Sequence, residues 1–225
     1  MICFRNSPII QELALRLFRT FCLCATLLVG VYLPALGADK HPPRVILEAG
    51  VSHPYGQLGG DADHTRLGQG ARDGLRLAFG MRFPLSRTVF LTPYFAFVDY
   101  GNFDGSTPEV EEVAIESSSY RYGLELMVRA DGPPSRVKPL LAVAMGLDRN
   151  RLTGNYQDPT AFMDESINSM GYNLRAGFQW KDLEFSVGYH INRFNTWQFY
   201  HSNYRERYNW DSLDVRGGWS IPFGD

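Results

Sequence analysis

From Met170 to Phe194 the chain reads MGYNLRAGFQWKDLEFSVGYHINRF, and apolar and polar residues alternate through two runs joined only by Lys181 and Asp182. One set is Tyr172, Leu174, Ala176, Phe178 and Trp180, then Leu183, Phe185, Val187, Tyr189 and Ile191. The other is Gly171, Asn173, Arg175, Gly177 and Gln179, then Glu184, Ser186, Gly188, His190 and Asn192. A period of two puts each set on one face of a β-hairpin. The same alternation recurs in RVILEAGVS (44–52), GLRLAFGMRF (74–83), YRYGLELMVR (120–129), VKPLLAVAMGLD (137–148) and SLDVRGGWSIPF (212–223). Each run predicts a strand.

One run resists a facing. In TVFLTPYFAFVDYG (88–101) both faces are largely apolar, and Pro93 removes a ladder donor. Its β-branched and aromatic residues still predict a strand, without choosing between Phe95/Phe97 and Tyr94/Val98. With it, about eight strands are expected, the number of the smallest membrane barrels.

The gaps between runs alternate in length. Long ones run from 53 to 71, 101 to 118, 149 to 168 and 195 to 209, and short ones lie at 84–87, 130–136 and 181–182. Tight turns on one rim and long loops on the other are the pattern of an up-and-down transmembrane barrel, with both termini at the short-turn rim. A soluble sandwich has no reason to sort its connections this way.

The polar set decides which face is inside. It contains Gly50, Gly80, Gly123, Gly146, Gly171, Gly177, Gly188 and Gly218, odd choices for a solvated strand surface but useful where side chains crowd a narrow lumen. Its charges come in both signs: Glu48, Glu125, Asp148, Glu184 and Asp214 against Arg76, Arg82, Arg121, Arg129, Lys138, Arg175 and Arg216. Inside a narrow barrel they can pair, and burial unpaired would be costly. The opposite set is nearly free of charge, as a lipid-facing band requires. Phe83, Tyr120, Trp180, Trp219 and Phe223 fall near run ends, where interfacial aromatic girdles sit. The expected lumen network is therefore Glu48, Arg76, Arg82, Arg121, Glu125, Arg175, Glu184, His190, Asp214 and Arg216.

With these patterns the chain resembles the small outer-membrane β-barrel proteins of Gram-negative bacteria, the OmpA/OmpX-like class. LTPYFAF and VKPLLAVAMGL look like strand openings common in that class, and LDVRGGWSIPF looks like its closing strand. The resemblance implies an all-β, eight-stranded antiparallel up-and-down transmembrane barrel with short periplasmic turns and long extracellular loops. It also implies an outer-membrane location, contact with lipid and lipopolysaccharide, and recognition of the last strand by the barrel-assembly machinery. The chain departs from the closing pattern in that Gly224 and Asp225 follow Phe223.

The N-terminus fits export. Arg5, Arg16 and Arg19 precede an apolar stretch from Phe21 to Leu36, and Ala35-Leu36-Gly37-Ala38 offers small residues for cleavage. The expected division is a signal peptide at 1–38 and a barrel at 39–225. All three cysteines (Cys3, Cys22, Cys24) fall in the segment removed, so neither disulfides nor thiol chemistry is expected. Losing three Arg and one Glu takes Lys+Arg from 22 to 19 and Asp+Glu from 24 to 23, a formal charge of −4 in place of −2. Such a chain is not a nucleic-acid binder.

Candidate chemistry is sparse. The resemblance brings in the lipid A deacylase branch of barrel enzymes, with a catalytic His-x-Ser on a late strand. In GYHINRF, Asn192 stands where that serine should follow His190, so no hydroxyl is present for the imidazole to activate. In FYHSNY, His201 and Ser202 are adjacent and would point to opposite faces of a strand. A metal site built from His53, Asp61, Asp63 and His64 lacks a recognised spacing, and no cofactor is expected. The last long segment, NTWQFYHSNYRERYNW, gathers Trp197, Phe199, Tyr200, Tyr204, Arg205, Arg207 and Tyr208, either a surface for a protein or glycan or a continuation of the flanking strands as a ribbon. The reading is a monomeric, non-enzymatic barrel with a structural or surface-interaction role. A deacylase-like enzyme and a narrow gated pore are its alternatives.

Overall fold

In a computed structural model the described residues are 42–56, 58–59, 71–107, 110–133, 135–156, 162–197 and 205–223. They form nine strands: β1 (Arg44–Pro54), β2 (Gly74–Pro84), β3 (Val89–Thr107), β4 (Val110–Arg129), β5 (Lys138–Tyr156), β6 (Phe162–Trp180), β7 (Leu183–Trp197), β8 (Arg205–Asn209) and β9 (Ser212–Pro222). The segment 1–38 lies outside them.

Every strand pairs antiparallel with its neighbour in sequence up to β6–β7; β7 then pairs with β8 and β9, and β9 closes on β1. Strands β8 and β9 keep one register along β7, from Arg193↔Asn209 to His190↔Ser212. They are a single stave interrupted at Trp210-Asp211, where the Asp211 carboxylate accepts the Asn192 amide at 3.0 Å. The molecule is thus a closed barrel of eight staves, and no stave within it keeps an open edge.

Alternation sets the two faces. Leu47, Leu77, Phe79, Leu124, Leu126, Val143, Leu174 and Val187 stand outward and about half exposed, whereas Arg82, Arg175 and Glu184 are at most 2% exposed. A closed barrel with an apolar exterior and a charged interior is inverted relative to a water-soluble one, and the exterior suits a bilayer. It crosses the membrane with strands.

The stave with no sequence facing is settled by register. Phe95 stands opposite Phe79 on β2 and Tyr122 on β4, all outward, so Thr92, Ala96, Val98 and Tyr100 face in. The β2–β3 ladder skips Met81 and Arg82 opposite Pro93 and Thr92, the place where proline has no N–H to give. Inward apolar residues are needed here because Phe90, Met127, Leu140 and Ala142 form a buried cluster low in the lumen.

Three of the expected long loops are shorter than the alternation suggested. The 101–118 segment is mostly strand: β3 and β4 stay paired from Asn102↔Glu116 to Thr107↔Val110. The 149–168 segment likewise continues β5 and β6, to Asn155↔Phe162. Residues 195–197 and 205–209 pair as well, through Trp197↔Arg205 and Phe194↔Tyr208. The sequence of 102–115 and 154–165 carries no sustained apolar/polar alternation, so a period of two does not mark them as strand. Gly101, with φ of 70°, sits at the bulge where β3 leaves the closed ring, and its N–H donates to the Asp99 carboxylate at 2.9 Å. At the opposite rim, Lys181 takes a φ of 54° in the two-residue turn between β6 and β7.

Candidate functional site

Alternation brings charged residues from seven of the eight staves, all but β3, into one lumen, and the geometry pairs them. Arg175 is the hub. Its Nε and Nη2 donate to Glu125 Oε2 and Oε1 at 2.7 and 2.5 Å, and its Nη1 lies 3.2 Å from Glu48 and 3.0 Å from Glu184. Arg82 donates to both oxygens of Glu184 at 2.6 and 3.2 Å. Arg76 donates to Glu48 at 2.9 Å. A second centre is Asp214, which accepts from Arg216 at 2.9 Å, Arg121 at 3.3 Å, Ser52 at 2.6 Å and Ser212 at 3.2 Å. Arg121 also donates to the Tyr100 hydroxyl at 2.5 Å, and Arg216 to Asn173 at 2.9 Å.

The paired cations are all arginine. A planar guanidinium offers five donors and can bridge several carboxylates, which the compact ammonium of lysine does less well. The five arginines Arg76, Arg82, Arg121, Arg175 and Arg216 face the five carboxylates Glu48, Glu125, Asp148, Glu184 and Asp214, so the formal charges cancel.

His190 Nε2 lies 2.6 Å from Asp148 Oδ2, both side chains buried. A row of glycines makes room for the pair: Gly123, Gly146 and Gly171 lie opposite one another on β4, β5 and β6. A Cβ on Gly171 would come within 2.2 Å of the Asp148 carboxylate. Above it runs a ladder that sequence reasoning missed: Ser119 donates to Asn150 at 2.9 Å, Asn150 to Ser169 at 3.0 Å, and Ser169 to Asn192 at 2.6 Å. Its polar residues sit on the lumen side of the alternation, which was the one available signal.

This interior has little free space. A cavity of about 20 Å3 lies among Glu48, Arg76, Tyr94, Arg121, Glu125 and His190, room for about one water molecule. Among the described residues Ser169 is bonded to Asn150 and Asn192, and Ser212 to Asp214 and Arg121. Among the described residues no group of three or more His, Cys, Asp or Glu could hold a metal ion.

The aromatic positions divide between the two ends of the apolar belt. Phe83, Trp180, Trp219 and Phe223 lie toward the tight-turn rim, with the Lys181 ammonium 5.0 Å over the Trp180 ring. Tyr120 lies at the other end, 5.0 Å between ring centroids from Phe97, and Phe95 and Tyr122 extend the patch at 5.2 Å. Phe95 and Phe97 were missed because their strand had no readable face. Trp197, Arg205, Arg207 and Tyr208 lie on the paired ends of β7 and β8. Phe199, Tyr200, Tyr204, His201, Ser202, Asp61, Asp63 and His64 lie outside the described residues.

No family model matches the chain, and no curated protein does. Solved structures do. Neisserial surface protein A (NspA) is 16% identical, with 80% of this chain and 97% of that one covered and a TM-score of 0.51. Ail, the attachment invasion locus protein of Yersinia pestis, is 10% identical, with 80% and 100% covered and a TM-score of 0.52. At these identities the likeness is one of fold. The closed ring of eight antiparallel staves is the fold of the small outer-membrane barrels of Gram-negative bacteria.

Proposed function

We propose that residues 39–225, freed of a signal peptide at 1–38, form a monomeric outer-membrane barrel that acts through the part standing above the bilayer and catalyses no reaction. The observation that carries this reading is the contrast between the two halves. Below, the lumen is filled by paired charges; above, β3, β4, β5 and β6 continue as a paired four-strand ribbon.

That ribbon extends past its neighbours. The β2–β3 ladder ends at Leu75↔Asp99 and the β6–β7 ladder at Gly171↔Asn192, while β5 and β6 remain paired to Asn155↔Phe162. Its outer strands have no further partner strand among the described residues, and we take them to offer backbone N–H and C=O groups to an extended partner, a mode of recognition that uses main-chain hydrogen bonds for affinity. The aromatic and basic residues Trp197, Phe199, Tyr200, Tyr204, Arg205, Arg207 and Tyr208 supply a second contact region for a protein or glycan. The barrel itself serves as a mount: an apolar belt for lipid and lipopolysaccharide, and a last strand, β9, for the assembly machinery. The buried His190 lacks a hydroxyl to activate, which counts against the lipid A hydrolase alternative, and the filled lumen counts against the pore.

The test is a ribbon-shortened chain. Asn-Gly turns replacing 103–115 and 153–164 join residues that are already opposite each other, Asn102↔Glu116 and Leu152↔Glu165. Cells displaying the full chain are expected to bind members of a panel of matrix proteins and glycans, and cells displaying the shortened barrel are expected to lose that binding. Equal binding by the two, no binding by either, or a change of lipid A mass caused by the full chain contradicts the reading.

A further inference from the structure

Three lumen arginines share one carboxylate. Arg216, Arg121 and Arg76 reach Asp214 at 2.9, 3.3 and 3.6 Å, the last beyond hydrogen-bond range. Glu48 accepts from Arg76 at 2.9 Å and lies 3.9 Å from Arg216 and 3.2 Å from Arg175. The other two arginines, Arg82 and Arg175, are met by Glu184 and Glu125. Asp148 holds His190 and stands opposite Arg121 in register.

This arrangement leaves N–H groups over. Arg121 donates through Nη1 to Asp214 and through Nη2 to Tyr100 and Ser212, and its Nε is buried without a hydrogen-bond partner among the described residues. Arg216 donates through Nη2 to Asp214 and Asn173, and its Nε is likewise unmatched. The same bond orients the Asn173 amide: its oxygen takes the guanidinium, so Nδ2 is the end left without an acceptor. The three residues come from β4, β9 and β6, and all three line the cavity of about 20 Å3 in the lumen. Arg76 lines it too, with an unmatched Nε that faces Asp214. The wall of that space carries four guanidiniums, Arg76, Arg82, Arg121 and Arg216, against two carboxylates, Glu48 and Glu125. A buried donor without an acceptor is costly, and so is an excess of one charge in an enclosed space.

A water molecule has only about two lone pairs with which to accept such donors. A monatomic anion of similar size accepts more of them and also offsets the positive wall. We infer that this cavity is a site for a chloride ion, held by Arg121 Nε, Arg216 Nε and Asn173 Nδ2. Because the five arginines and five carboxylates of the lumen cancel, the bound ion adds one negative charge, which a proton can balance. His190 lines the same cavity, as does Tyr94 of β3. The imidazole is faced by Asp148 from β5, Arg121 from β4 and Asp214 from β9, and by the uncharged Asn173 opposite it on β6. Chloride should therefore bind more tightly as the pH falls and His190 takes up a proton.

Urea unfolding of the full chain in lipid vesicles, in sodium chloride or in sodium gluconate of equal ionic strength, tests this. Each roughly tenfold rise in chloride is expected to lower the unfolding equilibrium constant by up to about tenfold, as a ligand bound only by the folded state does. The effect should be larger near pH 5 than near pH 8. Gluconate, too large for the cavity, should produce only the salt effect common to both series. The variant N173D keeps an oxygen for Arg216 and supplies its own anion in place of Nδ2, so its stability should not follow chloride. Equal curves in the two salts mean that water fills the cavity, and they overturn the site. An N173D barrel that still follows chloride overturns it as well, as does a chloride effect that weakens toward low pH. If N173D does not fold, wild-type crystals grown in bromide decide: an anomalous peak bonded to Arg121, Arg216 and Asn173 supports the site, and bromide on the surface alone overturns it. A failed binding panel with the ribbon-shortened chain leaves the site standing.

Discussion

Replacing Arg175 with methionine is expected to lower the unfolding free energy of the barrel in lipid vesicles by about 3–5 kcal/mol, read from urea titrations. Arg175 contacts Glu125 with two N–H groups and also reaches Glu48 and Glu184. Methionine fills a similar volume but leaves three carboxylates in an enclosed space with one fewer cation among them. Mutual repulsion and lost hydrogen bonds act in the same direction. The double variant R175M/E125Q removes one of the stranded charges and should recover part of the loss, since deleting both members of a buried pair is far milder than deleting one. If R175M unfolds like the wild type, Arg175 is not held as described. If the double variant is as unstable as the single one, the damage comes from lost packing.

The second large effect is expected on the opposite face. Leu124 lies near mid-belt, outward on β4, opposite Pro93 and Met145 and 46% exposed. In a bilayer, Leu124→Arg should cost about 2–4 kcal/mol, because a charge on the lipid face near the midplane is destabilising in this depth-dependent way. The same substitution on a water-soluble calyx would fall within about 0.5 kcal/mol, since such an exposed position touches nothing special. Val128→Arg, nearer the rim, should cost less than Leu124→Arg. Equal, negligible costs at both positions in vesicles would remove the lipid from the account.

Most of the fold could be read from the chain because lipid enforces strict alternation. Where lipid is on one side and a charged lumen on the other, as from Tyr172 to Ile191, each residue must suit its face and the period is clear. The reading fails where one of those media is missing. Along β3 the lumen side is itself apolar, with Phe90, Ala96 and Val98 inward, so both faces look alike. Past Asp99 and Asn150 the sequence loses its period of two, and the paired ribbon looks like loop.

The lumen was less readable than the fold. Alternation assigns a residue to a face but not to a height along the barrel, and partners such as His190 and Asp148 are 42 positions apart. Register supplies the height. It brings Asp148 opposite Ser169, two residue pairs above the glycine row that leaves space for its carboxylate. The Asn192 side chain, first conspicuous as the residue standing in a serine's place, has a different employment: its amide donates to Asn150 and its oxygen accepts from Ser169.

The central claim, that the apolar face meets lipid and the charged face is enclosed, is tested most directly by nitroxide scanning along β7. Single cysteines at 183 through 191, spin-labelled in vesicles, would report collision with oxygen, which partitions into lipid, and with a water-soluble nickel chelate. Positions 185, 187 and 189 should show high oxygen and low nickel accessibility, and positions 184, 186, 188 and 190 low values for both, giving a period of two. High nickel accessibility at 185, 187 and 189 in the folded protein would mean that this face stands in water, and the inverted barrel would be wrong.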